Sequence, residues 1–214
     1  MKIYGAAVSP FVRKLMVYCA ETGLAYDHTP TFPLGPDGQD PEFTAASPLG
    51  KIPAIEDDGF TLADSSAIVH YLEAKHGFGL LPVGAQDRGT AVFFDEVADT
   101  SLTAVVGTIF FNRVVAPKFM GRDGDLAAAD VAEKETLPPL LAKLEKLMPA
   151  QGGFLVGDKF TLADISMASV FVNLKYGGVS VDGAAYPRLA AWLAGIWARP
   201  SFAAQMAMEA KAMG

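Results

Sequence analysis

The spacing of hydrophobic and polar positions predicts that the first eighty residues mix short strands with short helices. Residues 2–6 are predicted to form a strand. Ser9 and Pro10 favour the start of a helix after it, because serine is a common N-cap and proline fits the first helical turn. Apolar residues then recur at helical spacing until Gly23, which ends the pattern: Val12, Leu15, Met16 and Cys19.

A second strand, a hairpin and a helix are predicted further along this part of the chain. Residues 26–29 have strand character, and a loop rich in proline and glycine follows them. The Asp-Asp-Gly sequence at residues 57–59 favours a tight turn between strands at residues 53–56 and 60–62. A helix follows from Asp64 to about residue 76. This order of elements implies an α/β domain with a mixed four-stranded sheet.

The remainder of the chain has only helical periodicity. Residues 78–87 contain glycine and proline and are interpreted as a linker. We therefore predict an α/β domain over residues 1–79 and an all-helical domain over residues 88–214. Two sets of apolar positions show the helical spacing most clearly: Phe94, Ala98, Leu102, Val105 and Ile109, then Leu137, Leu140, Leu141, Leu144 and Leu147.

Three local signals place the ends of helices in the second half. Pro138 and Pro139 must start or kink a helix, because proline has no backbone donor. The sequence from Thr161 to Asp164 resembles a capping box, with aspartate in place of the usual glutamate, so Asp164 is interpreted as a structural cap. Two final helices are predicted over residues 186–198 and 200–213.

Composition and charge exclude several classes of function. The chain has 214 residues, of which 51% are hydrophobic and 19% charged, as expected of a globular protein that buries its own core. A formal net charge of −7 argues against binding to nucleic acid or anionic membranes. No apolar run approaches the roughly 20 residues of a membrane span. The N-terminus does not resemble a signal peptide, so a cytoplasmic enzyme or binding protein is expected.

Cysteine and histidine contribute little candidate chemistry. Cys19 is the only cysteine, which excludes an intramolecular disulfide and a cysteine-based zinc site. Its place on the apolar face of the first helix indicates an inert core thiol. The three histidines lack the spacing of metal ligands, so no metal is predicted.

Four motifs, in order and over nearly the whole chain, resemble those of a cytosolic glutathione transferase, of the bacterial type with a serine in the thiol-activating position. They are Ser-Pro-Phe-Val-Arg-Lys from Ser9, Pro-Leu-Gly-Lys-Ile-Pro-Ala-Ile from Pro48, Leu-Ala-Asp-Ser-Ser-Ala-Ile from Leu62, and Phe-Thr-Leu-Ala-Asp-Ile from Phe160. The resemblance implies a thioredoxin-like N-terminal domain, an all-α C-terminal domain, a homodimer and a role in detoxification. Glutathione would be the co-substrate.

The resemblance gives Ser9 the catalytic role. Only the glutathione thiolate attacks electrophiles, and an ordinary thiol with a pKa of about 8.5 is mostly protonated at pH 7. A hydroxyl at a helix N-terminus favours the anion by donating a hydrogen bond at the positive end of the helix dipole. From its position alone, Ser9 could equally be a plain N-cap. Tyr4 is the rival thiol activator, although a tyrosine within the strand is more simply a core residue.

The resemblance also assigns the glutathione-binding residues. Ile52-Pro53 resembles the family's cis-proline, whose preceding residue presents its backbone to the cysteine of glutathione. Asp64 would bind the ligand's ammonium, and Ser65 with the helix N-terminus would bind its α-carboxylate. The glycine carboxylate would meet Lys51, with Gln39 substituting for the histidine of related serine-type enzymes.

This sequence departs from the family pattern near the ammonium site. Asp64 is one methylene shorter than the glutamate of many members, and Ser66 stands where an arginine is often found. These differences bear on the affinity for glutathione. Arg13 and Lys14 are interpreted as solvated charges, with a positive field near the anionic ligand as the alternative. Asp95 and Asp99 are also placed on a solvated face, with reach across a dimer to the ammonium as the alternative.

The second substrate is expected to be a small hydrophobic electrophile held between the domains. The predicted pocket residues are Phe11, Phe32, Phe110, Phe111 and Val115. Transfer, isomerisation, dehalogenation and peroxide reduction all use the same thiolate, and the sequence does not choose among them. A noncatalytic binding or interaction protein of the same fold is the alternative from a different class.

Overall fold

Four short strands form one mixed sheet in the N-terminal part of the chain. The computed structural model describes residues 1–150 and 152–213. The strands are β1 (Lys2–Tyr4), β2 (Asp27–Thr29), β3 (Ala54–Asp57) and β4 (Phe60–Ala63), in the order β2-β1-β3-β4. β1 pairs parallel with β2 and antiparallel with β3, and β3 and β4 form the predicted hairpin. The predicted thioredoxin-like α/β fold is confirmed.

Three α-helices accompany this sheet: α1 (Pro10–Thr22), α2 (Pro41–Ala46) and α3 (Ser65–His76). β1 ends at Tyr4, two residues before the predicted end, because Gly5 adopts a φ of +149°. A Cβ atom at Gly5 would lie 2.5 Å from Val12 Cγ2. Glycine therefore permits both the turn and the close packing of α1 against the strand.

The chain divides into two compact units, Met1–Leu81 and Pro82–Gly214. In the N-terminal unit, one buried cluster covers the face of the sheet beside α2: Tyr4, Phe43, Ala46 and Ala54, with Ile52 and Ala63 packed against it. These side chains come from β1, α2, β3 and β4 and from the residue before Pro53. The cluster therefore fixes the ends of three strands relative to one another.

The second unit is helical, as predicted. Its α-helices are α4 (Ala85–Val97), α5 (Thr103–Phe110), α6 (Leu126–Val131), α7 (Leu137–Leu147), α8 (Leu162–Tyr176), α9 (Pro187–Trp197) and α10 (Pro200–Met213). α4 starts within the predicted linker, since Gly84 occupies its N-cap, a position that tolerates glycine. Tyr186 and Ala198 are the two caps of α9, so the predicted helix was one residue too long at each end.

Segments of π-helix join several of these helices, which the sequence did not predict. They cover Ala98–Leu102, Phe111–Phe119 and Ala132–Thr136. The third leads directly into α7, whose first turn contains Pro138 and Pro139. The two prolines thus lie in the first turn of an α-helix within a longer helical run. This position tolerates proline, because the backbone N–H groups that proline lacks are not needed there.

One helix among the described residues has the length and mean hydropathy that could cross a membrane. It is the continuous run Ala85–Phe119, whose most apolar window has a mean hydropathy of 1.2. α4 and α5, which belong to it, both pack against α8. A long apolar helix is also usual at the centre of a helical bundle.

α8 is the core of the helical unit and begins with the predicted capping box. The Thr161 side chain bonds to the Asp164 backbone, and the Asp164 side chain bonds to the Thr161 backbone. Asp164 is fully buried and also accepts hydrogen bonds from Leu155 N (2.9 Å) and Trp192 Nε1 (3.0 Å). Burial raises the pKa of Asp164, and these hydrogen bonds act in the opposite direction.

The prediction that Asp95 lies on a solvated face is wrong. The side chain of Asp95 is buried on α4, where it accepts a hydrogen bond of 2.6 Å from the Ser166 hydroxyl of α8. Asp99 is half-buried. The helical pattern identified the apolar face of α4 but not that a polar pair on α4 and α8 would be enclosed with it.

Candidate functional site

The register of the sheet gathers the sequence motifs of the N-terminal unit at one end. Tyr4 pairs with Ala54, and Ala54 pairs with Ala63. The segment after β1, the segment before β3 and the segment after β4 therefore leave the sheet side by side. These segments contain Ser9, Ile52-Pro53 and Asp64-Ser65, respectively. Three motifs that are far apart in sequence thus lie at one sheet edge.

Ser9 is the N-cap residue of α1, but its side chain does not cap the helix. Its backbone is extended, with φ −67° and ψ 132°, and its hydroxyl makes no capping hydrogen bond. Its carbonyl accepts the first helical bond, from Arg13 N at 2.9 Å. The half-buried hydroxyl is therefore positioned at the positive end of the helix without being used by it.

Tyr4 is the last residue of β1, so the prediction that it is a buried residue of this strand is confirmed. Its side chain is part of the core, with its ring tilted against Phe43 at 6.3 Å between centroids. Its hydroxyl donates to Glu42 Oε2 at 3.3 Å, and the Lys2 ammonium pairs with the same carboxylate oxygen. The Tyr4 hydroxyl is thus already engaged, unlike that of Ser9.

The Ile52–Pro53 peptide bond is cis, as the resemblance implies. The loop that leads to it is held by Ser47, a buried residue that the sequence reasoning missed. The Ser47 hydroxyl accepts from Lys51 N (2.8 Å) and donates to Lys51 O (2.7 Å). The available signal was a serine directly before the motif that begins at Pro48. The Lys51 side chain is exposed, and among the described residues no acid pairs with its ammonium.

The N-terminus of α3 is tied directly to the cis-proline. Asp64 N donates to Pro53 O at 3.3 Å, and Asp64 Oδ1 accepts from Ala67 N at 2.9 Å. Asp64 has a φ of +85°, a strained conformation for a residue with a side chain. Ser65 is only 3% exposed, and its hydroxyl has no hydrogen-bond partner in the part of the chain that the structure describes. Both predicted residues therefore have polar atoms left for a ligand.

The two cations of α1 are buried, so the prediction that they are solvated is wrong. Arg13 is fully buried, and Lys14 is 1% exposed. Arg13 Nη2 donates to Val8 O at 3.3 Å, and Lys14 Nζ donates to Ser66 Oγ at 2.9 Å. The cause is that α1 is covered on all sides, from Val12 to Cys19. Helical periodicity finds an apolar face but does not show that the opposite face is also enclosed.

Gln39 lies at the same end of the sheet, beyond β2. It is the exposed last residue of a 3₁₀ turn, Pro36–Gln39. Together with Tyr4, Thr29 and Asp37 it lines a cavity of about 370 Å³. The structure therefore places Gln39 beside the carboxyl ends of β1 and β2, and the segment that contains Ser9 follows β1.

The predicted pocket residues are distributed over both units. Phe110 is buried, and the other four are half-buried: Phe11, Phe32, Phe111 and Val115. Phe111 and Val115 stand four residues apart in a π-helical segment, and the Arg122 guanidinium lies 5.5 Å from the centre of the Phe111 ring. Their role in binding a second substrate stays a prediction.

Cys19 is buried in α1, and burial raises the pKa of its thiol to about 12. A thiol with so high a pKa is protonated at neutral pH and is a poor nucleophile. A search of the described residues finds no group of three or more histidine, cysteine or acidic side chains that could hold a metal ion. The polar atoms at the sheet edge are therefore the candidate chemistry of the N-terminal unit.

Two family models match the chain. The model for the glutathione S-transferase N-terminal domain matches residues 3–82, and that for the glutathione S-transferase C-terminal domain matches residues 110–208. The chain belongs to the glutathione S-transferase family. Glutathione S-transferase 4 of Zea mays is 33% identical over 202 residues, which span 94% of this chain and 89% of the relative.

Solved structures of glutathione S-transferases have the same fold. A structure of glutathione S-transferase-I bound with lactoylglutathione superposes with a TM-score of 0.84 at 27% identity, covering 97% of this chain and 98% of the other. The theta class glutathione S-transferase from Xanthomonas axonopodis pv. citri, with glutathione bound, gives a TM-score of 0.82 at 26% identity, with 96% of each chain covered. The membership of the glutathione transferase family that the four motifs predicted is confirmed.

Proposed function

We propose that this glutathione S-transferase ionises the glutathione thiol with the Ser9 hydroxyl and delivers the thiolate to a small hydrophobic electrophile. The observation that supports this most strongly is the Ser9 side chain itself. It stands at the N-terminus of α1 and makes no capping hydrogen bond. The hydroxyl oxygen of a serine that served only as a cap would accept a hydrogen bond from a backbone N–H of the first helical turn.

The free energy that Ser9 must supply is within reach of its position. Lowering the pKa of a thiol from about 8.5 to about 6.5 requires about 2.7 kcal/mol. A hydrogen bond to a charged group contributes about 1.5–3 kcal/mol, and the end of a helix dipole adds about 0.3–1 kcal/mol. One hydroxyl at a helix N-terminus can therefore make most of the thiol ionise at pH 7.

The other residues at the sheet edge suit the remaining groups of glutathione. Asp64 keeps one carboxylate oxygen for the ligand's ammonium, and Ser65 offers a buried hydroxyl to its α-carboxylate. The backbone of Ile52, before Pro53, would bind the cysteine of the ligand. Lys51 would bind the glycine carboxylate, and Gln39 would also hold the glycine end of the ligand.

We assign the glutathione-binding domain to residues 1–79 and the domain that supplies the electrophile pocket to residues 88–214. Of the pocket residues predicted above, Phe110, Phe111 and Val115 belong to this second domain, and Phe11 and Phe32 would contribute from the first. The protein would act as a cytoplasmic homodimer with no metal, as the resemblance of its motifs to the family implies.

The test measures the ultraviolet absorbance of the bound glutathione thiolate as a function of pH. Wild type is compared with Ser9→Ala, and Tyr4→Phe is the matched control because it removes the rival hydroxyl. We expect wild type and Tyr4→Phe to bind thiolate at pH 7. Ser9→Ala should bind glutathione as the thiol and lose about a hundredfold in turnover.

Two results would contradict the proposal. If Tyr4→Phe alone loses the thiolate signal, tyrosine is the activator. If wild type binds glutathione without ionising it, the protein is a binding module of the same fold.

A further inference from the structure

A buried cation lies against the first turn of α3. Lys14 belongs to α1 and precedes the first residue of α3 by more than 50 positions in the sequence. Only 1% of its surface is exposed. Its ammonium donates a hydrogen bond of 2.9 Å to Ser66 Oγ, and Ser66 is the second residue of α3. A full positive charge therefore reinforces the partial positive charge that any helix has at this end.

The amides of the same turn are only partly used. Asp64 N donates to Pro53 O, and Ala67 N donates to Asp64 Oδ1. Ser65, between them, is only 3% exposed, and its hydroxyl has no partner among the described residues. Its amide is one of the first-turn donors that a helix cannot satisfy internally. Unused first-turn donors beside a positively charged side chain are the chemistry of a carboxylate site.

We propose that Lys14 is a positioning residue that, through Ser66, sets the affinity of the α3 N-terminus for the α-carboxylate of glutathione. The inference rests on the function proposed above, in which Ser65 binds that carboxylate. Lys14 acts on the amino-acid end of the ligand, whereas Ser9 acts on its thiol. Binding and ionisation should therefore respond to different substitutions.

The test pairs a protein variant with a ligand variant. Glutathione is compared by calorimetry with 4-aminobutyryl-cysteinyl-glycine, which keeps the ammonium, thiol and glycine carboxylate but lacks the α-carboxylate. We expect Lys14→Met to weaken glutathione binding about tenfold and binding of the analogue less than twofold. Lys14→Arg should restore most of the affinity for glutathione.

The kinetic readout separates positioning from catalysis. At saturating glutathione, the kcat of Lys14→Met should stay within twofold of wild type while the KM for glutathione rises about tenfold. Lys51→Met is the matched lysine control. Because both ligands keep the glycine carboxylate, that substitution should weaken both to the same extent.

Equal weakening of both ligands by Lys14→Met would overturn the role of Lys14. If Lys14→Met does not fold, Ser66→Ala decides, since it removes the acceptor of the lysine and must show the same selective loss. If wild type binds both ligands equally, the proposed α-carboxylate site fails and the inference fails with it. The thiolate measurement on Ser9→Ala would still report separately on thiol activation.

Discussion

Several side chains of α1 and α3 lie in environments that their residue types do not predict. Arg13 and Lys14 are among the most polar residues of the chain, yet both are buried. Burying a charge is costly unless hydrogen bonds compensate for it, and each has such a partner in Val8 O or Ser66 Oγ. Asp64 shows the opposite case, an exposed residue held at a positive φ beside the cis-proline. Strain of this kind is often found at binding sites.

Asp64→Asn tests whether that carboxylate binds the ammonium of glutathione. Asparagine keeps an oxygen for Ala67 N and tolerates a positive φ, so thermal stability should not change. Loss of the negative charge should raise the Kd for glutathione about tenfold in calorimetry. Asp64→Ala is the control for capping and should also cost about 1 kcal/mol of stability. An unchanged Kd for Asp64→Asn would remove this residue from the site.

The secondary-structure elements follow local sequence signals where those signals are complete. The capping box at the start of α8 is present because a threonine and an aspartate stand three residues apart. The π-helical segments were not predicted, since apolar positions at a spacing of three or four residues fit an α-helix equally well. Asp164 adds a tertiary role to a local one, because Leu155 and Trp192 also donate to it.

Asp164→Ala should destabilise the helical unit by about 3–5 kcal/mol, because it leaves three buried N–H donors without an acceptor. Denaturant unfolding followed by tryptophan fluorescence measures the change. Asp123→Ala is the matched control, because Asp123 is exposed and has no partner among the described residues. It should change the stability by less than about 0.5 kcal/mol. A loss for Asp164→Ala that is no larger than the control would show that the cap is dispensable.

The whole molecule consists of two compact units, and each is matched by a domain model of the same family. The N-terminal unit contains the residues of the proposed glutathione site, and the helical unit contains the most apolar helices. Large apolar side chains are exposed on each unit, among them Leu49 at 85% and Phe93 at 50%. Coverage of such side chains by a second copy would remove them from water.

The homodimer is tested by light scattering coupled to size-exclusion chromatography. We expect a mass of twice the chain mass at micromolar concentration, because the resemblance of the motifs implies a homodimer and the exposed apolar side chains favour association. A mass equal to one chain, at all concentrations measured, would contradict the proposed assembly.

The sequence by itself determined the order of the elements, the two-part organisation and the family, because helix caps, turns and four motifs are local patterns. It also singled out Ser9, Pro53 and Asp64. Only the tertiary structure decided which of these residues meet. Strand register brings the segments containing Ser9 and Pro53 to one sheet edge. The packing that covers α1 on all sides buries Lys14 against Ser66. Such contacts join residues about 50 positions apart, and no local spacing records them.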